Sequence, residues 1–172
     1  MEFHLDQATE ILSQTPAILD ALLRHKSHPW LNARKSPEAF SAIDVVGHLI
    51  LAETTNWLPR IRIILGGDLT PFPPFDRFDF QPIIANKSIA ELLDEFAQLR
   101  QESLATLASF HLTDSQLDLP GTHPQFGPIT LRQQLATWAV HDLGHTNQIV
   151  KTLAAEYREA VGPWQAYLSI LH

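Results

Sequence analysis

The chain has 172 residues, 45% of them hydrophobic, and a formal charge of −7, which suits one domain spanning 1–172 with a sizeable core. The acidic balance and the lack of any basic cluster argue against a nucleic-acid partner, and no apolar run approaches the roughly 18 residues that a membrane span requires. Cysteine is absent, so disulfides, thiolate metal ligands and a cysteine nucleophile are all excluded. Residues 1–10 lack the charged-then-apolar pattern of a secretory leader, which predicts a cytoplasmic protein.

Helix-start signals recur along the chain. Ser41-Ala-Ile-Asp44, Ser88-Ile-Ala-Glu91 and Thr130-Leu-Arg-Gln133 each fit a capping box or its Asp variant. Helical periodicity predicts long helices at about 3–26, 41–66, 88–109 and 130–157. Pro59 interrupts the second, frees the carbonyl of Thr55 and predicts a kink, and Gly66-Gly67 supplies its C-terminal stop. Residues 67–87 hold four prolines, which forbid a helix interior, and also Phe72, Phe75, Phe78 and Phe80, too apolar for a solvated linker; the segment is expected to pack on the bundle. Residues 110–129 carry one short turn from Thr113 to Leu117 before Pro120, Gly121, Gly127 and Pro128. Connections this long serve as crossover packing or as functional lids. Gly162-Pro163 opens a last short helix with Trp164, Tyr167, Leu168 and Leu171 on one face. No alternating strand pattern is found. The expected fold is all-α, a four-helix bundle with long crossover connections and a short C-terminal helix.

Nine histidines are many for this length. His141 and His145 stand four apart, one turn apart on one helix face and within reach of one ion. On the fourth helix Leu131, Leu135, Trp138, Ile149 and Leu153 form the apolar stripe; His145 lies inside it and His141 at its edge. Two inward imidazoles need partners, because an unsatisfied buried polar group costs about 1–3 kcal/mol. A metal would satisfy both, and so would carboxylates or backbone carbonyls. His48, in the nearly all-apolar stretch Ile43–Ala52, is the best third ligand. The other six histidines fall near helix ends, in loops or at the terminus, with His123 in a loop able to fold over the site.

Several polar residues lie near these positions. Glu53, close to the apolar stripe of the second helix, either positions water as a catalytic group or pairs with a basic residue. Asp142 either accepts the second N–H of a ligand histidine, fixing its tautomer, or pairs with an arginine across the bundle. Asp44, one turn before His48, offers the same alternatives. Gln148 is placed to hydrogen-bond a ligand on the metal. Trp57 and Trp138 read as core.

The stretch Ser41…Gly47-His48-Leu49, followed by His123-Pro-Gln-Phe126-Gly127-Pro-Ile-Thr130-Leu131 and Trp138-Ala-Val-His141-Asp142-Leu-Gly-His145-Thr-Asn-Gln148-Ile149, resembles the DinB-like superfamily over nearly the whole chain. The resemblance implies a four-helix bundle with an unusual crossover connection and a three-histidine metal site near one end, mapping onto His48, His141 and His145. It also implies zinc or nickel as the ion and a homodimer. Characterised relatives include S-transferases and an isomerase that use a low-molecular-weight thiol, and others were proposed as hydrolases. The expectation is thus a divalent-metal-dependent transferase or hydrolase acting on a small molecule; the alternative is a non-catalytic metal-binding stress-response or interaction protein. A further apolar side of the fourth helix, Ala136, Val140, Leu143, Val150 and Ala154, is consistent with burial against another helix or a second subunit. The family name carries no implication of direct DNA repair.

Overall fold

The computed structural model describes residues 2–172 and is a four-helix bundle. The long helices are α1 (Leu5–Leu23), the pair α3 (Ala42–Ala52) and α4 (Leu58–Leu65) joined by a π-helical turn (Glu53–Trp57), α6 (Ile89–Ser109) and α8 (Leu131–Ala155). Short helices α2 (His28–Asn32), α5 (Gln81–Ile84) and α7 (Asp114–Leu117) lie in the connections. All three capping boxes form: Ser41, Ser88 and Thr130 each accept from the backbone N–H three residues on, and Asp44, Glu91 and Gln133 reach back. They satisfy donors that a helix start otherwise leaves unpaired.

Consecutive long helices are not all neighbours in the bundle. α1 packs on α6 and α8, and α3 packs on the same two, so α1 and α3 stand diagonally across the bundle. The connection from α1 to α3 therefore crosses the bundle, whereas the 67–87 segment joins the α3–α4 pair to α6, against which that pair packs. In this segment Phe72 and Phe80 are buried, as expected of an apolar stretch, whereas Phe78 is exposed. Gly47 makes the close approach possible: a Cβ there would sit 2.4 Å from Ile84 Cγ2. Pro82 falls in the first turn of α5, where its missing N–H costs nothing.

Two expectations are corrected. The second connection contains strands after all, an antiparallel hairpin of β1 (Pro120–His123) and β2 (Gly127–Thr130). It is held from outside its own sequence, by Phe72 N–H donating to Thr122 O at 2.9 Å. The first helix, Leu5–Leu23, matches the expected one, and the short α2 follows it. The C-terminal segment forms two 3₁₀ turns (Gly162–Tyr167 and Ser169–Leu171) in which only Leu171 is buried; Trp164 and Tyr167 are exposed.

Pro59 does not simply kink its helix. The π turn lies just before it, loosening the backbone where the proline ring would crowd the preceding turn. Pro16 acts similarly in α1: it has no N–H for the carbonyl of Leu12, and Arg100 Nη1 donates there instead at 2.8 Å.

The core has two apolar layers. One gathers Leu12, Trp57, Ile61, Leu135 and Trp138; the other gathers Leu19, Leu49, Phe96 and Ile149. Between them on every long helix sits a buried polar side chain: Thr15, Glu53, Arg100 and Asp142. Arg100 donates to Glu53 Oε1 from Nε (3.0 Å) and Nη2 (2.6 Å), and to Asp142 from Nη1 and Nη2. All five of its N–H groups therefore have a protein acceptor. Trp138 Nε1 also donates to Glu53 Oε1, at 3.2 Å.

Removing one partner of such a cluster strands the others in low dielectric. Arg100→Met is expected to destabilise the fold by about 3–5 kcal/mol, read from urea unfolding. A loss below about 1 kcal/mol, the value typical of exposed pairs, would contradict this reading.

Candidate metal centre

His48 lies in the middle of α3, and His141 and His145 lie one turn apart on α8, which packs against it. The three imidazoles meet nitrogen to nitrogen. His48 Nε2 and His145 Nε2 each lie 3.1 Å from His141 Nε2, and one nitrogen from each ring falls within 4.8 Å of the others. Two nitrogens bound to one tetrahedral ion at about 2.0–2.1 Å stand about 3.3 Å apart, so the cluster has the dimensions of a coordination set.

The opposite ring nitrogens fix the protons. His48 Nδ1 donates to the carbonyl oxygen of Arg77 at 3.3 Å, and His145 Nδ1 to Gln148 Oε1 at 3.0 Å. A neutral imidazole has only one N–H, so both Nε2 atoms present lone pairs. Both rings are held neutral. Burial, reinforced by repulsion from His141, pushes His48 down to about 4 and His145 down to about 3. A proton on His141 Nε2 would serve only one of its two 3.1 Å contacts, leaving the other lone pair against lone pair. A cation satisfies all three at once. His141 Nδ1 would then carry that ring's proton; it is buried without a hydrogen-bond partner and faces Asp142 Oδ1 at 4.0 Å. The donor set thus fits a divalent ion. Three ligands also leave a position for substrate, as catalytic sites do.

Electrostatics below the site favour a cation. Burial alone would raise Asp142, but hydrogen bonding and the Arg100 guanidinium outweigh it and hold the carboxyl below its ordinary range. Two carboxyl groups thus share one guanidinium, and the Asp142 carboxylate adjoins His141.

The remaining expected site residues are placed as follows. Glu53 is 4% exposed and bonded to Arg100 and Trp138, so it is the ion-pair alternative that the structure adopts, not a group beside the histidines. Asp142 joins the same cluster while its other face looks toward His141. Asp44 is consumed at the start of α3 by Ser41 and by Arg34 at 2.6 Å and does not touch His48, because its capping geometry turns it back along the chain. Gln148 contacts a ligand ring rather than anything beyond it. Trp57 and Trp138 are buried and stacked, ring centroids 5.6 Å apart, yet Trp57 also meets His141 edge-on at 5.0 Å. Sequence reasoning missed the Arg77 carbonyl, which no side-chain pattern signals, and Arg100. The latter was findable: Arg100 shares the inward stripe of Phe96 and Leu107 on α6.

The centre is reachable from two sides. A recess of ≈ 260 Å³ is lined by Phe40, His48, Arg77, His145 and Gln148. On the His141 side a cavity of ≈ 550 Å³ runs between Trp57, Phe75 and the hairpin residue His123, within the usual range of small-molecule pockets. Neither Phe72 nor the hairpin plugs it. No helix of the described residues is long and apolar enough to cross a membrane.

The comparisons agree with this architecture. No curated protein matches the sequence. Among solved structures, YfiT from Bacillus subtilis, described as a probable metal-dependent hydrolase with an unusual four-helix bundle topology, superposes with a TM-score of 0.75 at 21% identity, covering 88% of this chain and 86% of that one. TT2238, described as a four-helix bundle protein, gives a TM-score of 0.56 at 22% identity, covering 86% of this chain and 98% of that one. Such identities establish a shared fold. The family model of the DinB superfamily matches residues 11–149, and this chain belongs to that superfamily.

Proposed function

We propose that this protein is a metal-dependent enzyme acting on a small molecule, with one divalent ion, zinc or nickel, held by His48, His141 and His145. The observation that carries this reading is the meeting of three Nε2 atoms, two of them stripped of protons by acceptors on the far side of their rings, beside a ≈ 550 Å³ cavity. The description of YfiT as a probable metal-dependent hydrolase supports it. Three imidazoles accept both metals, so the ligand set does not choose between them.

An ion held there supplies Lewis acidity, which makes water or a thiol a usable nucleophile near neutral pH. The reaction class is accordingly hydrolysis or transfer to a low-molecular-weight thiol, and with no cysteine in the chain that thiol is a cosubstrate. The chain's own residues orient and shield. Gln148 and the Arg77 carbonyl hold the protons on Nδ1 of His145 and His48. Trp57 and Phe75 cover His141 and His48 edge-on and limit water access. Glu53 and Gln148, considered as catalytic groups, act instead through other residues: Glu53 by anchoring Arg100, Gln148 by orienting His145. Exposed Val140 and Leu143 on α8 offer an apolar face for a second copy of the chain.

Elemental analysis of untagged protein is expected to give about one zinc or nickel per chain, and His48→Ala and His145→Ala to lose it, as three-ligand sites require each ligand. Wild-type protein that takes up neither metal would sink the proposal. Gln148→Ala is expected to weaken zinc binding about 10–100-fold in a chelator competition while unfolding like wild type; unchanged affinity would show that Gln148 does not orient His145. Sedimentation velocity is expected to show a dimer, and a monomer at high concentration would refute the α8 face as its interface.

A further inference from the structure

The chain buries two arginines deeply in its helical core, and they are treated oppositely. Arg100 has every donor occupied. Arg60 on α4 is only 9% exposed, lies over the Phe72 ring at 5.2 Å, and among the described residues has no carboxylate within ion-pair distance. Asp76 and Asp79 line a neighbouring recess with it but lie beyond ion-pair distance, and burial lowers Arg60. A guanidinium stays charged in proteins; the stem of Arg60 is buried, while its nitrogens keep contact with solvent in the cavities it lines. A charge held at a cavity wall without a carboxylate of its own is available to an anionic ligand.

Arg60 lines the ≈ 550 Å³ cavity that ends on His141. Its neighbour His123 feels it, since the Arg60 charge adds to burial in disfavouring the imidazolium. His123 Nδ1 accepts from the backbone N–H groups of Gln125 and Phe126 at 3.2 Å, which leaves its proton on Nε2 as a further donor. Four of the five buried side-chain atoms without a hydrogen-bond partner belong to residues of this same cavity: Asn56 Oδ1, Trp57 Nε1, Gln134 Nε2 and His141 Nδ1. Those four atoms are themselves closed off from solvent, so the polarity the cavity offers a ligand comes from Arg60 and His123, set among the apolar walls of Trp57, Phe75 and Ile129.

The geometry points to Arg60 as the anchor of a substrate carboxylate: the small molecule this centre acts on is an organic acid whose charged end lies on Arg60 and whose reacting end lies at the histidines. The inference rests on the metal-enzyme reading for the word substrate, but the anion site stands on its own residues. A planar guanidinium fork takes a carboxylate bidentately, and the aromatic walls suit an apolar body attached to it.

The test uses the full-length protein, metal-free and zinc-loaded, with phenylacetate and its neutral isostere phenylacetamide as probes. Binding is followed through the Trp57 indole N–H resonance. Phenylacetate is expected to bind both forms at least about tenfold more tightly than the amide, the size of one charge-assisted hydrogen bond. Arg60→Gln is expected to abolish the preference while zinc content is unchanged, and Arg60→Lys to keep part of it. Equal binding of acid and amide by wild-type protein would overturn the inference even if both variants failed to fold. So would a preference that survives Arg60→Gln, or one seen only with zinc, which would place the carboxylate on the ion. An Arg60-dependent preference in protein that takes up no zinc would support the anion site and remove the metal centre instead.

Discussion

The guanidinium of Arg100 is the constraint on which the rest of the bundle depends. It reaches from α6 to Glu53 at the end of α3, to Asp142 on α8 and to the Leu12 carbonyl of α1, so one side chain ties all four long helices at a single level. An apolar layer would fill the same space with comparable or greater stability. What the ionic layer adds is position: α8 has only one rotation and one height at which Asp142 meets Arg100, and that setting carries the adjacent His141 to His48. The Asp142 carboxylate of the layer then lies beside the place where the three imidazoles converge.

Irregularities in the helices serve the same arrangement. Pro16 withholds the N–H that would otherwise occupy Leu12 O, and Arg100 takes its place. The π turn at Glu53–Trp57 changes the phase of the chain between α3 and α4, bringing Glu53 inward toward Arg100 and both Asn56 and Trp57 into burial beside the His141 cavity. Single π turns inside helices occur often at functional sites, where the extra residue re-aims neighbouring side chains. Here the turn separates the helix that carries His48 from the one that carries Arg60, which lets one sequence segment serve both the histidine cluster and the cavity beside it.

Much of this was legible in the sequence because it is local. Capping boxes are complete within four residues, and three of them placed the starts of α3, α6 and α8. The spacing of His141 and His145 is one helical turn wherever the helix packs, and the apolar surroundings of His48 foretold its burial. The features that escaped depend on residues far apart in the chain. The hairpin at 120–130 has four-residue strands, interrupted by Pro120 and Pro128, and gains its support from Phe72. Glu53 offered two roles, and only the position of Arg100, 47 residues away, decides between them. Asp44 was read as a neighbour of His48 by helical spacing, but its cap geometry turns it toward Ser41 and Arg34. At the C-terminus a helical stripe of Trp164, Tyr167, Leu168 and Leu171 was expected, yet only Leu171 is buried, against α8, and the backbone tightens into 3₁₀ turns.

The central claim is that three histidines present unprotonated Nε2 atoms to one ion, and it is most directly tested by long-range ¹H–¹⁵N spectra of the histidine rings. In metal-free protein near neutral pH, His48 and His145 should be neutral and protonated at Nδ1, as their bonds to Arg77 O and Gln148 Oε1 require. One equivalent of zinc should move the Nε2 resonances of His48, His141 and His145 together and leave the exposed histidines unchanged. Rings protonated at Nε2, or three resonances indifferent to zinc, would contradict the account and leave the cluster a feature of the core alone.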